Sequence, residues 1–103
     1  MSAKTTVKLT MQTAQTLVRR EFGFPVSALR RRDNTPADAQ IYEMQCGRLW
    51  VRVSNDWQRR DGLYYLEVCH VRSGTISAFF NPETLCEDFT AGDRYRRMAR
   101  DEG

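Results

Sequence analysis

Two segments between residues 40 and 80, each with a glycine in a short central turn, constrain the fold of this chain more than any other feature. Each has two strand-like runs, rich in aromatic, β-branched and aliphatic residues, on either side of a short turn. The turns contain Gly47 and Gly74, and glycine supplies the positive φ that tight hairpin turns need. The runs cover residues 40–45 and 48–53 in the first hairpin, and 63–71 and 75–80 in the second. The sequence therefore predicts an antiparallel meander of about four strands.

The first hairpin is predicted from its alternation of apolar and polar residues. A two-residue loop at Cys46 and Gly47 pairs Gln45 with Arg48, and successive strand residues then point to opposite faces. The predicted apolar face carries Tyr42, Met44, Leu49, Val51 and Val53. The predicted mixed face carries Ile41, Glu43, Gln45, Arg48, Trp50 and Arg52. A slip by one residue would mix the two sets, so the faces are well specified.

The second hairpin has a less clear division between its faces. A two-residue loop at Ser73 and Gly74 pairs Val71 with Ile76. One predicted face is apolar except for Glu67 and holds Leu63, Tyr65, Cys69, Val71, Ile76, Ala78 and Phe80. The other predicted face holds Tyr64, Leu66, Val68, His70, Ser77 and Phe79. Because both faces are largely apolar, we expect helices on both sides, or one face used against a partner or a second copy in a homodimer.

Helices are predicted on either side of the meander. Thr10 is a suitable N-cap for a helix from Met11 to about Phe22, and Gly23 is a suitable stop. Residues 5–10 alternate in polarity and are compatible with a fifth, N-terminal edge strand. Pro25 opens a predicted helical turn that runs through Leu29 to Arg31. Residues 81–83, Asn-Pro-Glu, predict the start of a C-terminal helix.

These elements predict an α+β fold, with the meander packed against an N-terminal and a C-terminal helix. A length of 103 residues predicts one domain over residues 1–103, in which the basic residues 91–103 are either docked or ordered by a partner. No apolar run approaches the roughly 20 residues of a membrane span, and the first residues lack the apolar core of a signal peptide. Three cysteines without close spacing do not form a disulfide framework. We therefore expect a cytoplasmic protein.

The basic residues are almost all arginines. Of the 16 basic residues only Lys4 and Lys8 are lysines, and the net charge is +3. Arginine binds phosphate and carboxylate groups in a bidentate way that lysine does not, which favours a surface for nucleic acid or for an acidic protein. A second interpretation is that the genome favours arginine codons and that these side chains are solvated and paired with the 13 acids. The candidate binding residues are Arg30, Arg31, Arg32, Trp57, Arg59, Arg60, Arg96 and Arg97.

Trp57 lies on the polar loop between the two hairpins, next to Arg59 and Arg60. A tryptophan in such a loop can stack on a base or anchor a protein interface. The alternative is that Trp57 folds back over the edge of the sheet.

The sequence contains no recognisable catalytic or metal-binding motif. Cys46, Cys69, His70 and Cys86 lack the spacing of a zinc site, and the adjacent Cys69 and His70 point to opposite faces of a strand. Residues 72–75 form a hairpin turn and not a strand-to-helix phosphate loop. No cofactor or metal is therefore predicted.

One enzyme class is suggested by resemblance. Residues 41–43, 51–53 and 66–72 resemble the strands of the small, ribosome-dependent messenger-RNA-cleaving toxins of the RelE type. The order of a strand, two helices, an antiparallel meander and a basic surface is similar in that family. The resemblance implies an RNase that works without metal, and it implies His70, Arg72, Arg52 and Glu67 as the candidate site residues.

Three functions are therefore open. The first is a non-enzymatic protein that binds a nucleic-acid-handling or nucleoprotein assembly through its arginines and an aromatic loop, with direct nucleic-acid contact as one form of binding. The second is a phage- or plasmid-type inhibitor of a host protein complex, such as an anti-CRISPR protein. The third is the RNase toxin. We predict the first, because it accounts for both the arginine bias and the missing catalytic motif.

Overall fold

The computed structural model describes residues 8–33, 35–36, 39–55, 62–70, 72, 74–89, 97 and 100, with residues 88 and 89 described for the backbone only. Over this part of the chain, one helix is followed by a six-stranded antiparallel sheet whose strands lie in sequence order. The elements are α1 (Met11–Phe22), β1 (Arg30–Arg31), β2 (Ile41–Cys46), β3 (Leu49–Ser54), β4 (Tyr64–His70), β5 (Gly74–Phe80) and β6 (Glu87–Phe89). The predicted α+β class, a meander packed against a helix, is confirmed.

Helix α1 has the predicted bounds because its two caps are local. The Thr10 hydroxyl accepts a hydrogen bond from the Thr13 amide at 3.3 Å, as an N-cap should. Gly23 has φ of +71° and its amide donates to the Arg19 carbonyl at 2.8 Å, which ends the helix. The helix buries Ala14, Leu17 and Val18 against one face of the sheet, called here the inner face.

The first hairpin has the predicted faces but not the predicted register. Met44 pairs with Val51 and Cys46 pairs with Leu49, so the loop is Gly47 and Arg48 and not Cys46 and Gly47. Each partner is therefore shifted by two residues. Because side chains alternate with a period of two, a shift of two leaves every side chain on its predicted face. The five residues of the predicted apolar face are all buried in the core.

The second hairpin has a different register, so the residues of its first strand share faces with a different set of β5 residues than predicted. Leu66 pairs with Ala78, Val68 with Ile76 and His70 with Gly74, so three residues and not two connect the strands. A shift of three is odd and therefore exchanges the faces of one strand relative to the other. The inner face now carries Tyr64, Leu66, Val68, His70, Ile76, Ala78 and Phe80. This register keeps the carboxylate of Glu67 on the opposite, outer face, where its desolvation costs less.

Of the helical turn predicted from Pro25 to Arg31, only a single turn forms, in which the Leu29 amide donates to the Val26 carbonyl at 3.1 Å, and an edge strand takes the place of the rest. Arg30 pairs with Glu43, and the Arg32 amide donates to the Ile41 carbonyl at 2.8 Å. The sheet thus satisfies backbone groups that a single helical turn would leave open. The N-terminal edge strand predicted over residues 5–10 is not formed by residues 8–10, and residues 5–7 lie outside the described part of the chain.

Residues 81–89 form a turn and a strand where a helix was predicted. The Asn81 side chain does cap this turn, because its Oδ1 accepts from the Glu83 amide at 2.8 Å and from the Thr84 amide at 3.3 Å. Leu85 then has φ of +59°, which ends the helical turn, and its carbonyl accepts a hydrogen bond from Arg20 of α1. Strand β6 follows and pairs with β5. Arg97 and Arg100 have helical backbone, and the rest of residues 91–103 lies outside the described residues.

A buried amide pair joins the start of α1 to the sheet. The Gln40 Oε1 accepts from the Leu9 amide at 2.9 Å and from the Asn55 side-chain amide at 2.8 Å. Tyr42 and Tyr64 extend the attachment, since their hydroxyls donate to the carbonyls of Leu9 and Lys8. These bonds hold α1 against the inner face, so this helix does not cover the outer face of β1–β3. Among the described residues, no helix is both long enough and apolar enough to cross a membrane.

Candidate functional site

The outer face of the sheet carries a row of alternating charges across four strands. Arg30 lies opposite Glu43, Glu43 lies opposite Arg52, and Arg52 lies opposite Glu67. Opposite charges on directly facing positions of antiparallel strands attract each other, and like charges there repel. This face of the sheet can therefore meet solvent, and it needs no apolar layer packed against it.

Glu43 is the centre of this row. Its carboxylate accepts two hydrogen bonds from Arg32, at 2.8 Å to Oε1 and 3.1 Å to Oε2. The Arg52 Nε and the Trp50 indole N–H also donate to Oε1, at 3.4 and 3.2 Å. A bidentate arginine–carboxylate pair fixes both the distance and the plane of the two groups. Glu43 therefore holds Arg32, Arg52 and Trp50 in one arrangement.

The environment of Glu43 favours its charged form. Partial burial alone would raise the pKa of the Glu43 carboxyl. The hydrogen bonds from Arg32 and Trp50, together with the positive charges of Arg32 and Arg52, outweigh burial and hold this pKa below its ordinary value. Glu43 is consequently ionised at neutral pH, and two guanidinium groups neutralise it.

Trp50 is the large hydrophobic side chain that remains exposed in the described part of the chain, at 40%. Its N–H is bound to Glu43, so the orientation of the ring is fixed while part of the ring surface faces solvent. A single exposed aromatic residue is common on protein surfaces and means little alone. Here it borders a groove, and that association makes it a candidate functional residue.

The groove lies between β1 and Trp50 and has a volume of about 490 Å³. This volume is within the roughly 300–1,000 Å³ of small-ligand sites. Three positive and two negative side chains contribute to its lining, namely Arg30, Arg31, Arg32, Asp33 and Glu43. Because Glu43 is neutralised by Arg32 and Arg52, the groove presents mainly positive charge, with Asp33 as its opposing group.

Arg30 and Arg31 keep their charges available. Arg30 is exposed, and although it faces Glu43 across the strand pair, its guanidinium makes no ion pair or hydrogen bond within the described residues. Arg31 is also exposed, and its guanidinium donates to the Ala39 carbonyl at 3.4 Å, which is a neutral acceptor. Neither charge is compensated by a carboxylate in this part of the chain, so both can attract an anion.

The structure brings together only some of the predicted binding residues. Arg30, Arg31 and Arg32 meet at the groove, on β1 and the residue that follows it. Arg97 is exposed, but no contact relates it to the groove. Trp57, Arg59, Arg60 and Arg96 lie outside the described part of the chain. The residue missed is Trp50, although its place on the mixed face of the first hairpin was a usable signal.

The residues implied by the resemblance to messenger-RNA-cleaving toxins lie on different faces of the sheet. His70 is buried on the inner face, and its Nδ1 accepts a hydrogen bond from the Arg72 amide at 3.1 Å. Arg52 and Glu67 lie opposite each other on the outer face. The sheet therefore separates the imidazole from the other two side chains, and the geometry does not assemble these residues into one site.

The described residues contain no group of three or more histidine, cysteine, aspartate or glutamate side chains placed to hold a metal ion. Cys46 lies on the inner face and Cys69 on the outer face, and both are partly exposed. Comparisons of the chain with protein-family models, with curated protein sequences and with solved structures give no match. The groove between β1 and Trp50 is accordingly the candidate site, on the strength of its own geometry.

Proposed function

We propose that this chain is a small, non-enzymatic binding protein whose partner is a nucleic acid or a nucleoprotein assembly, bound at the groove between β1 and Trp50. The observation that supports the proposal most is that the uncompensated Arg30 lines the same groove as an exposed tryptophan. Such a partner is met in the cytoplasm, which remains our prediction for the location of the protein.

Phosphate groups fit the charge pattern of the groove. Guanidinium groups bind phosphate oxygens in a bidentate way, and neutralising a phosphate releases condensed counterions from the nucleic acid. The carboxylate of Glu43 offers little repulsion to an approaching phosphate, because Arg32 and Arg52 already neutralise it. The remaining repulsion comes from Asp33, which is exposed at the groove.

A protein partner fits the surroundings of Trp50 less well. Protein interfaces have an apolar centre with a polar rim, and aromatic anchors lie in the centre. Trp50 instead borders a groove in which five of the nine lining residues are charged, three of them arginines, and positive charge of this kind is typical of surfaces that bind nucleic acid. We therefore favour nucleic acid and treat an inhibitor of a host protein complex as the alternative outcome of the test.

The test is the salt dependence of binding to a labelled polynucleotide, measured by fluorescence anisotropy. We expect binding to weaken steeply with salt. Arg30→Ala should make the slope of log K against log salt shallower by about one, as the loss of one phosphate contact predicts. Arg19→Ala is the matched control, because Arg19 is also exposed but lies on α1, which packs against the inner face. Asp33→Asn should have the opposite sign and strengthen binding.

Equal effects of Arg30→Ala and Arg19→Ala would show that binding follows net charge and not this groove. If no polynucleotide binds, the proposal that the groove binds nucleic acid directly is overturned. A tight complex recovered from cells that survives nuclease and moderate salt would then support the inhibitor alternative.

A further inference from the structure

We infer that the groove takes a nucleotide of single-stranded nucleic acid, with its unpaired base stacked on Trp50 and its phosphate at Arg30. This inference rests on the proposed function and specifies the form of the nucleic acid. Its starting point is the arrangement already described, in which an oriented indole ring and an uncompensated guanidinium border the same groove of about 490 Å³.

The indole ring is held in place before any ligand arrives. Its N–H donates to Glu43 at 3.2 Å, and Arg32 fixes the Glu43 carboxylate through two further bonds. A side chain that is already oriented loses less conformational entropy on binding, so more of the stacking energy becomes affinity. The ring surface, and not the N–H, is what remains available to a ligand.

The same contacts occupy the polar groups beside the indole ring, where a stacked base would lie. The indole N–H is already bonded, and both oxygens of Glu43 accept hydrogen bonds from arginine or tryptophan. Base-specific recognition requires free donors or acceptors that reach a base edge. Stacking uses only the face of the base, which every base has, so we expect binding with little sequence preference.

A duplex cannot offer a base to Trp50 without losing a stacking contact of its own. The bases of a duplex are stacked on each other, and exposing one costs a few kcal/mol of unstacking and unpairing. A site that acts by charge alone prefers the duplex, because its charge density is higher. A preference for single strands therefore has the opposite sign to a purely electrostatic site and identifies stacking.

The experiment uses the full chain with Trp57→Phe, which leaves Trp50 as the sole tryptophan, since the chain has two. Its fluorescence is followed during titration with a short single-stranded oligonucleotide and with a hairpin duplex of the same composition. We expect quenching of Trp50 by the single strand and about tenfold weaker binding of the duplex. Should Trp57→Phe lower the Tm, the signal is taken as the difference between wild type and Trp50→Phe.

Two substitutions separate stacking from charge. Trp50→Ala should weaken single-strand binding by about tenfold and leave duplex binding unchanged, whereas Trp50→Phe, which keeps an aromatic face, should lose less than about threefold. Binding that Arg30→Ala reduces, but that neither quenches Trp50 nor prefers single strands, would overturn this inference and leave the proposed function standing. Absence of binding to both nucleic acids would overturn the two together.

Discussion

The two faces of the sheet differ in how their side chains are satisfied. The inner face is apolar and lies under α1, with Val51, Leu66 and Phe80 wholly buried. The outer face is covered between β1 and β4 by its own charged row and borders an open groove. Antiparallel sheets permit this division, because one face can pack on a core while the other meets water. Stability is thus concentrated on one face, and the candidate site lies on the other.

The largest expected effect contrasts Phe80 with Phe79, which are neighbours on β5 but lie on opposite faces. Phe80 is fully buried on the inner face under Arg20, whose guanidinium carbon lies 5.8 Å from the ring centre. Phe80→Ala should reduce the free energy of unfolding by about 3–5 kcal/mol. Phe79 is partly exposed and meets the ring of Tyr65 edge-on, with 4.6 Å between the ring centres. Phe79→Ala should therefore reduce the free energy of unfolding by only about 1–2 kcal/mol.

Urea unfolding with a common m value measures both variants. Equal losses would mean that the outer face at Phe79 is as much a core as the inner face, and the contrast between the faces would fail. Tyr65 makes this a real test, because it is buried although it lies on the outer face.

The same contrast explains what the sequence could predict of the fold. The bounds of α1 follow from caps within three or four residues of each end, and the faces of the first hairpin follow from alternation alone. The second hairpin failed because both of its faces are largely apolar, so the pattern could not distinguish a loop of two residues from one of three. Gly74 was assigned to that loop, but it is the first residue of β5.

Long-range contacts decided the remaining differences. Asn81 and Pro82 are good helix-start signals, and Asn81 does form a cap, but the segment leaves the helical path at Leu85. Arg20, 65 residues earlier, donates to the Leu85 carbonyl there, and no local pattern contains that contact. For the site, the arginines of β1 were predicted, whereas Trp50 was missed because alternation assigns a residue to a face but cannot say whether that face is covered.

A smaller effect is expected at Glu43, where the outer face is held together. Glu43→Ala removes the acceptor of Arg32, Arg52 and Trp50 and should reduce the free energy of unfolding by about 1–2 kcal/mol. It should also lower the fluorescence anisotropy of Trp50 in the Trp57→Phe background, because the ring loses its anchor. Gln45→Ala is the control on the same strand and face, and as an exposed site it should cost less than about 0.5 kcal/mol. If the two variants are alike in both measurements, Glu43 does not hold Trp50.

The smallest effect is the pH dependence of the Glu43 contribution, and its sign follows from the direction of the pKa shift. In the unfolded chain Glu43 titrates near its ordinary value of 4.5, and in the folded chain its pKa is lower, with the hydrogen bonds and charges of Arg32, Trp50 and Arg52 overcoming burial. The unfolded state therefore binds the proton first as pH falls, so the stabilisation is complete well above pH 4.5 and declines as pH falls through the folded pKa. Because Arg32 and Arg52 are partly exposed and screened by solvent, the contribution should not exceed about 1 kcal/mol.

Urea unfolding of wild type and Glu43→Gln from pH 3 to pH 7 measures this contribution. The difference between their free energies of unfolding should be constant at the upper end of this range and should shrink toward the lower end. A difference that grows as pH falls would mean that the folded carboxyl has a raised pKa and that burial, not its arginines, governs the outer face.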